Sequence, residues 1–422
     1  MNSQRLRFFI ALIAAGLIGY SIGVTKISYD WKNFKPHLEV INKEPPPSLQ
    51  TLDFAPFWTV MGKIEDNYYD KKAIDSQKML DGAIIGMVGS LDDPFTMYLP
   101  PVRNTAFKAQ MAGQFQGIGA ELGMNGKQII VIAPLDGSPA EKAGVRAGDA
   151  ILKVDDQPID GWTLAQTVEK IRGEKGTTVK ITLVHKSSEK SVTVSIVRDV
   201  ITVKSLVSWT KKIKDIAQVN QKSATLSAHL NDKITYIRLS EFGDSANKEW
   251  TDIAIKLNQE IHHDKSIKGI VFDLRNNPGG YLTDAVYIAS EFVKDGNAVL
   301  QEDKNQEQKG FPVSGAGMLT DVPVVVLING GSASASEIVS GALRDHKRAL
   351  LVGEKSFGKG TIQEAEDLGG GSGLHVTIAK WLTPNGTWVH KKGLEPDYTI
   401  MLDPKDPARD TQLEQAINVL LK

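Results

Sequence analysis

The chain has 422 residues, with 49 basic and 50 acidic side chains and a formal net charge of −1. That balance gives nucleic acid or another strongly charged partner no footing, and the length allows two or three domains. Cysteine is absent, which excludes disulfides, thiolate catalysis and cysteine-ligated zinc.

At the N-terminus, Arg5 and Arg7 precede an apolar stretch from Phe8 to Val24. A basic segment followed by an apolar one is an export signal. The stretch lies near the lower length limit for spanning a bilayer and no clean A-x-A cleavage site follows it. Residues 1–25 are therefore expected to be an uncleaved signal anchor, although Lys26, Lys32 and Lys35 just beyond it blur the orientation signal. This predicts a single-pass protein of the bacterial inner membrane with its body on the extracytoplasmic, periplasmic side. Residues 26–49 end in Lys43-Glu44-Pro45-Pro46-Pro47-Ser48 and read as an extended linker. Within residues 50–111, Phe54, Phe57, Trp58, Met61 and Ile64 recur at helical spacing, as do Met79, Leu80, Ala83, Ile84 and Met87. Each is a core-facing or partner-facing stripe.

Residues 112–200 alternate short strands with glycine turns. Gly113 to Ala120 opens the region, and Ile129-Ile130-Val131 is a strand. Gly137 to Gly144 reads as a turn and short helix, and Gly148 to Val154 as a turn and strand. Leu164 to Ile171 is amphipathic, and Val179–Val184 and Val192–Ile196 alternate at the strand period. The combination resembles a PDZ domain. Such domains add a peptide as a strand while backbone N–H groups hold its C-terminal carboxylate. The resemblance makes Gly117, Ile118, Gly119 and Ala120 the carboxylate loop; read alone, the same residues are a tight glycine hairpin. Arg172 is a candidate for coupling this domain to the next.

In residues 201–422, strands and helices alternate. Ile234–Leu239 and Ile267–Arg275 read as strands, and Trp250–Ile261 and Leu282–Val293 as helices, with Asn276-Asn277-Pro278-Gly279-Gly280 as a strand-to-helix turn. This argues for an α/β core with parallel pairing. The buried strand Val324–Ile328 then leads into Gly331-Ser332-Ala333-Ser334-Ala335-Ser336-Glu337 and a helix through Leu343. Serines at a helix start sit beside free N–H groups, a corner suited to a nucleophile. The pattern Ser334-x-x-Glu337 is equally a capping box. A further strand, Ala349–Gly353, precedes Ser356-Phe357-Gly358-Lys359-Gly360-Thr361. None of the eight histidines stands at an obvious catalytic spacing, so a serine enzyme here needs another base, and a neutral lysine serves. Residues 409–421 read as a closing helix.

Rival patterns are weaker. Gly353 to Lys359 fits most of a P-loop, but Gly360 stands where Ser or Thr must reach magnesium. His262-His263 reads as a solvated pair, and His346 lies about 18 Å along the helix from Ser334 by helical rise.

The serine cluster, its flanking strand and helix, and Phe357-Gly358-Lys359-Gly360-Thr361-Ile362-Gln363 resemble the catalytic region of the C-terminal processing peptidases, or tail-specific proteases. The resemblance covers nearly the whole chain and extends to Leu91–Leu99, Thr383–Gly386 and Gly393–Asp397. It implies a crotonase/ClpP-like α/β protease core (201–422) with an inserted PDZ domain (112–200) and an N-terminal helical assembly region (50–111). It also implies a Ser334 nucleophile, a Lys359 base and a supporting Gln363; spacing alone does not separate Ser334 from Ser332 and Ser336. Backbone N–H groups of Gly279 or Gly280 and of Ala335 become the oxyanion hole. No metal or cofactor is called for. The implied partners are proteins with exposed C-termini, a second copy of the chain in a dimer, and an activator protein. The rival from another class is a membrane-anchored PDZ scaffold with an inactive protease-like core; the intact Ser334, Lys359 and Gln363 set argues against it.

Overall fold

The computed structural model describes residues 27–422 apart from 33–34, 41–46, 50, 126–127, 136, 186–189, 203, 222, 316, 404–405 and 407. The expected signal anchor lies outside the described residues, among which no helix is long and apolar enough to cross a membrane. The chain divides into two units, Met1–Leu80 and Asp81–Lys422.

In the first unit, β1 (Ile27–Lys32) and β2 (Lys35–Val40) pair antiparallel, with Ile27 opposite Val40 and Lys32 opposite Lys35. The expected linker thus contains a hairpin. Ile27, Tyr29 and Trp31 alternate with polar residues at the strand period, a signal the proline run at 45–47 had masked. Helix α1 (Ala55–Asn67) carries the predicted apolar stripe, yet none of its residues is buried. Helix α2 (Ser76–Gly89) follows.

The second unit begins within α2 at Asp81, continues with β3 (Met97–Leu99) and α3 (Pro101–Met111), and then enters the glycine-rich region. There β4 (Gln114–Gly117) pairs antiparallel with β11 (Asp199–Thr202), joining the entry and exit of an inserted domain. Between them lie β5 (Ala120–Asn125), β6 (Gln128–Pro134), α4 (Pro139–Lys142), β7 (Ala150–Val154), β8 (Gln157–Pro158), α5 (Leu164–Ile171), β9 (Thr178–Val184) and β10 (Ser191–Val197). Their sheet runs β10-β9-β7-β6-β5, and β5 is its open edge. Ile118, Val131, Ile151, Val179, Ile181, Leu183 and Ile196 form a core of their own.

The remaining chain forms a sheet in the order β12 (Leu206–Lys212), β13 (Lys233–Leu239), β14 (Ile267–Asp273), β17 (Val324–Ile328), β18 (Ala349–Gly353) and β21 (Tyr398–Thr399). All pairs but the first are parallel. The central strands β14, β17 and β18 are mostly apolar on both faces, as a parallel sheet covered on both sides requires. Ile270, Phe272, Val324 and Val326 face α7 (Ala246–His263), α8 (Leu282–Phe292) and α9 (Ala335–Asp345). Val271, Val325 and Leu327 face α6 (Ala224–Ala228) and α10 (Thr411–Leu420). A second sheet, β16 (Gln308–Pro312), β15 (Asn297–Asp303), β20 (Ser372–Leu382) and β19 (Thr361–Gly369), takes β3 as an extra strand on β20.

The C-terminal ends of β14, β17 and β18 lie side by side, so the turns that follow them meet there. This is where open parallel sheets place their sites. The Arg275 guanidinium fixes the first turn: it donates to Asp273, to both oxygens of Asp410 and to Gln412 Oε1 at the start of α10, while Tyr236 donates to Asp273 at 2.7 Å. Removing one partner of a buried ion pair strands the other in low dielectric. Arg275→Ala is expected to lower the unfolding free energy by about 3–5 kcal/mol, measured by urea denaturation.

Candidate active site

Ser334 ends the turn after β17 and begins α9, with φ 55° and ψ −115°. An ordinary N-cap residue has extended backbone, and positive φ in a non-glycine residue is uncommon. A serine strained at a strand-to-helix turn presents its hydroxyl outward. The structure separates the three serines that spacing left open. The Ser332 hydroxyl is buried and donates to Leu274 O at 2.8 Å, and the Ser336 hydroxyl is buried and donates to Asn277 O at 2.9 Å. Ser334, half-buried, lines a cavity of about 430 Å³ together with Lys359, Gln363, Gly279, Gly280 and Ile338.

Lys359 arrives on the turn after β18. A Cβ on Gly358 would come 2.8 Å from Gly393 N, and one on Gly360 would come 2.7 Å from His390 N. The flanking glycines therefore let this backbone lie directly against residues 388–393. Burial holds the Lys359 ammonium below the ordinary lysine value, partly offset by the charges of Asp93 and Glu337. Its Nζ sits 5.0 Å from the centroid of the Phe95 ring and, among the described residues, makes no hydrogen bond to Ser334. Gln363 lies on β19. Its Nε2 donates to Thr361 Oγ1 at 2.9 Å and to Thr377 Oγ1 at 3.0 Å, and it does not bond Lys359.

The Pro278-Gly279-Gly280 turn abuts Ser334: a Cβ on Gly279 would lie 2.7 Å from Ser334 Cβ and 3.0 Å from Ala335 N. Gly279 donates its own N–H to Asn277 Oδ1 at 2.9 Å. The bridge to Phe242 uses Gly279 O and Tyr281 N, which leaves the N–H of Gly280 unused. Among the described residues, the N–H groups of Gly280 and Ala335 have no protein partner. Of the two glycines expected at this position, Gly280 is the one whose donor is available.

Glu337 ties these turns together. Its side chain is fully buried and accepts four hydrogen bonds: from Ser334 N at 2.9 Å, Lys359 N at 2.8 Å, Gly358 N at 2.7 Å and Ser356 Oγ at 2.6 Å. Ser356 Oγ in turn accepts Leu394 N. Asn277 does the same for the Pro278-Gly279-Gly280 turn. Its O accepts Ala333 N and Ser336 Oγ, and its Nδ2 donates to Leu239 O.

In the inserted domain, a cavity of about 360 Å³ runs between β5 and α5, lined by Gly117, Ile118, Gly119, Ala120, Val168 and Arg172 among others. The open edge of β5 is free to accept an added strand. Gly119 has φ +73°, and a Cβ there would come 2.5 Å from Ser138 Cβ. Arg172 lies over the Phe115 ring at 5.0 Å, inside this groove.

Three family models match: Peptidase family S41 over residues 233–400, PDZ domain over 116–196, and the Activating protease CtpB N-terminal domain over 29–101. A "Probable CtpA-like serine protease" of Staphylococcus aureus (strain N315) is 35% identical over 422 residues, covering 100% of this chain and 76% of that protein. The chain belongs to the C-terminal processing peptidases. The carboxy-terminal processing protease CtpA of Bacillus subtilis (strain 168) is 36% identical over 335 residues, 79% of this chain and 66% of that one. The solved photosystem II D1 C-terminal processing protease superposes with a TM-score of 0.51 at 32% identity, covering 87% of this chain and 96% of its own. A putative S41 protease from Bacteroides fragilis NCTC 9343 shares the fold, with TM-score 0.56 at 15% identity, covering 86% of this chain and 96% of that one. The protein is thus a serine peptidase with a PDZ domain.

Two features of this peptidase escape the sequence reading. Glu337 was visible only as the acidic member of a capping box, and its reach to Gly358 and Lys359 depends on β17 and β18 being neighbours. Phe95 carried no chemical signal beyond its place in a family segment. Of the histidine rivals, His346 Nε2 pairs with Asn297 O, and His262 and His263 are exposed on the end of α7.

Glu337→Gln offers donors where four donors already converge. It is expected to lower kcat by on the order of 100-fold and the unfolding free energy by about 2–3 kcal/mol, read from steady-state kinetics and urea denaturation. Gly280→Ala drives its methyl into the Phe242 carbonyl and shifts the Pro278-Gly279-Gly280 turn. It is expected to cost a similar factor in kcat with little change in KM.

Proposed function

We propose that this peptidase cleaves the tails of extracytoplasmic proteins with a Ser334–Lys359 dyad, the tail being captured at its C-terminus by the PDZ groove. The observation that carries the reading is the shared cavity: Ser334 and Lys359 line it together, and one carboxylate, Glu337, binds the backbone N–H of both.

Neutral Lys359 takes the Ser334 hydroxyl proton as the serine attacks the peptide carbonyl. The N–H groups of Gly280 and Ala335 hold the developing oxyanion, and one such donor is worth on the order of 100-fold in rate. Protonated Lys359 then protonates the leaving amine, and water resolves the acyl-enzyme with Lys359 again as base. Gln363 Oε1 is the atom left to accept from the Lys359 amine once the lysine turns toward Ser334. Ile338, Ile362, Trp381 and Phe107 give the cavity an apolar lining, suited to an apolar substrate side chain. In the PDZ domain, Gly117 to Ala120 take the carboxylate and β5 takes the tail as a strand. The unburied apolar face of α1, with Phe54, Trp58 and Val60 exposed, is suited to a second copy of the chain. The apolar Phe8–Val24 segment with its basic flank supports a place at the membrane with the body outside the cytoplasm.

Ser334→Ala and Lys359→Ala are each expected to abolish cleavage of an unfolded protein followed by mass spectrometry. Ser332→Ala is expected to keep it, at a cost of about 1–2 kcal/mol in stability from the lost buried hydrogen bond. Cleavage by Ser334→Ala would overturn the assignment. Because the neutral amine is the active form, kcat is expected to rise with pH to a plateau. The midpoint should lie below the ordinary lysine value of 10.5, since burial disfavours the ammonium. A flat profile from acid to alkaline pH would contradict the lysine base.

A further inference from the structure

Lys359 shares a cavity with Ser334, but its Nζ makes no hydrogen bond to that serine in this structure. Its Nζ lies 5.0 Å from the Phe95 ring centroid and makes no hydrogen bond among the described residues. A cation over an aromatic face is attracted by the ring quadrupole, more strongly where water is excluded. The ring is held in place from two sides. Phe95 N–H donates to Asp93 Oδ1 at 3.0 Å, Thr96 Oγ1 donates to Asp93 Oδ2 at 2.7 Å, and Thr377 N donates to Thr96 Oγ1 at 3.0 Å. The next residues, Met97–Leu99, join β20 as β3. On the other side, His390 packs edge-on against Phe95 at 6.3 Å and stacks on Trp388 at 5.1 Å. A ring so fixed serves as a seat for whatever lies on its face.

We propose that Phe95 is a positioning residue that seats the Lys359 ammonium away from Ser334, so that the lysine must leave this ring before the dyad can form. The inference rests on the Ser334–Lys359 reading and adds a second resting place for the base. The seat has two effects of the same sign. It withholds the amine from the serine, and it favours the charged amine, which cannot act as a base.

The charged and titratable groups around Lys359 come from four elements: Asp93 before β3, Glu337 on α9, His375 on β20 and His390 after β20. Burial alone would raise the Asp93 carboxyl, but bonds from Thr377, Thr96 and the Phe95 N–H hold it below its ordinary value, so it stays anionic. Burial and the Lys359 charge hold His375 below the ordinary histidine value. Asp93, Glu337 and His375 keep their hydrogen bonds when the ring is replaced, while His390 loses its edge-on contact with it, so the Leu and Trp variants are compared with each other as well as with wild type.

The test is kcat and KM for β-casein as an unfolded substrate, from pH 5 to pH 10, for the full chain and for Phe95→Leu, Phe95→Trp and Lys359→Ala. Loss of the ring face is expected to move the rising limb of kcat to lower pH by about half a unit to one and a half units. Below the midpoint, that raises kcat about three- to thirtyfold while KM holds. Phe95→Trp, with the stronger π face, is expected to move the limb to higher pH. If Phe95→Leu does not fold, the Trp variant alone decides, since it keeps an aromatic ring. Folded variants whose limbs coincide with wild type, or a Leu variant with lower kcat and an unmoved limb, would overturn the proposal while the dyad stands. A Lys359→Ala variant as active as wild type would instead overturn the dyad reading.

Discussion

One buried carboxylate sets the geometry on which the rest of the site depends. Glu337 has no contact with solvent and accepts from the backbone of Ser334, Gly358 and Lys359 and from the Ser356 hydroxyl. A carboxylate buried without partners is costly, but with four donors the same group becomes a rigid hub. Because the donors belong to two separate turns, that of Ser334 and that of Lys359, neither turn can move without breaking hydrogen bonds to Glu337. Asn277 fixes the third turn in the same way, using its backbone O and both ends of its side chain. Backbone positions are therefore held tightly, and the remaining freedom lies in the Lys359 side chain.

That freedom is shaped by opposing demands. Burial disfavours the ammonium and so favours the base, while Asp93 and Glu337 favour the charged form. The Phe95 face adds to the second group. Phe95 and Asp93 stand at the end of the N-terminal segment whose strand β3 is added to the sheet that carries Gln363. The catalytic environment is thus completed by residues on both sides of the inserted PDZ domain. Helix α3, which runs from β3 to that domain, contributes Phe107, Gln110 and Met111 to the cavity wall. The PDZ groove and the cavity lined by Ser334 and Lys359 are therefore linked through one short helix and the β4–β11 pair.

Much of this was legible in the residues because it depends on local chemistry. Fully apolar strands such as Val324–Ile328 can only be the interior of a covered parallel sheet, and the alternation of strands with amphipathic helices gives the α/β class. Glycines marked close approach, and the glycines around Lys359 do lie against residues 388–393. The order of short strands and turns in residues 112–200 was enough to suggest the PDZ domain that the family model matches over 116–196. The hairpin at residues 27–40 was missed because a proline run beyond it dominated the reading.

What the sequence by itself determined is the set of parts: a serine at a helix start, a glycine-flanked lysine, a Pro-Gly-Gly turn and a glycine loop before a strand, each a short pattern with a local physical cause. Only the tertiary structure decided which parts work together. Three serines at alternate positions are equivalent in sequence, and they differ only because Leu274 and Asn277 take the hydroxyls of Ser332 and Ser336 from another strand's turn. Gly279 and Gly280 differ only because Asn277 uses the N–H of the first. The places of Glu337 and Phe95 around Lys359 depend on contacts spanning 22 and 264 residues of chain, which parallel pairing and strand addition create and no local pattern encodes.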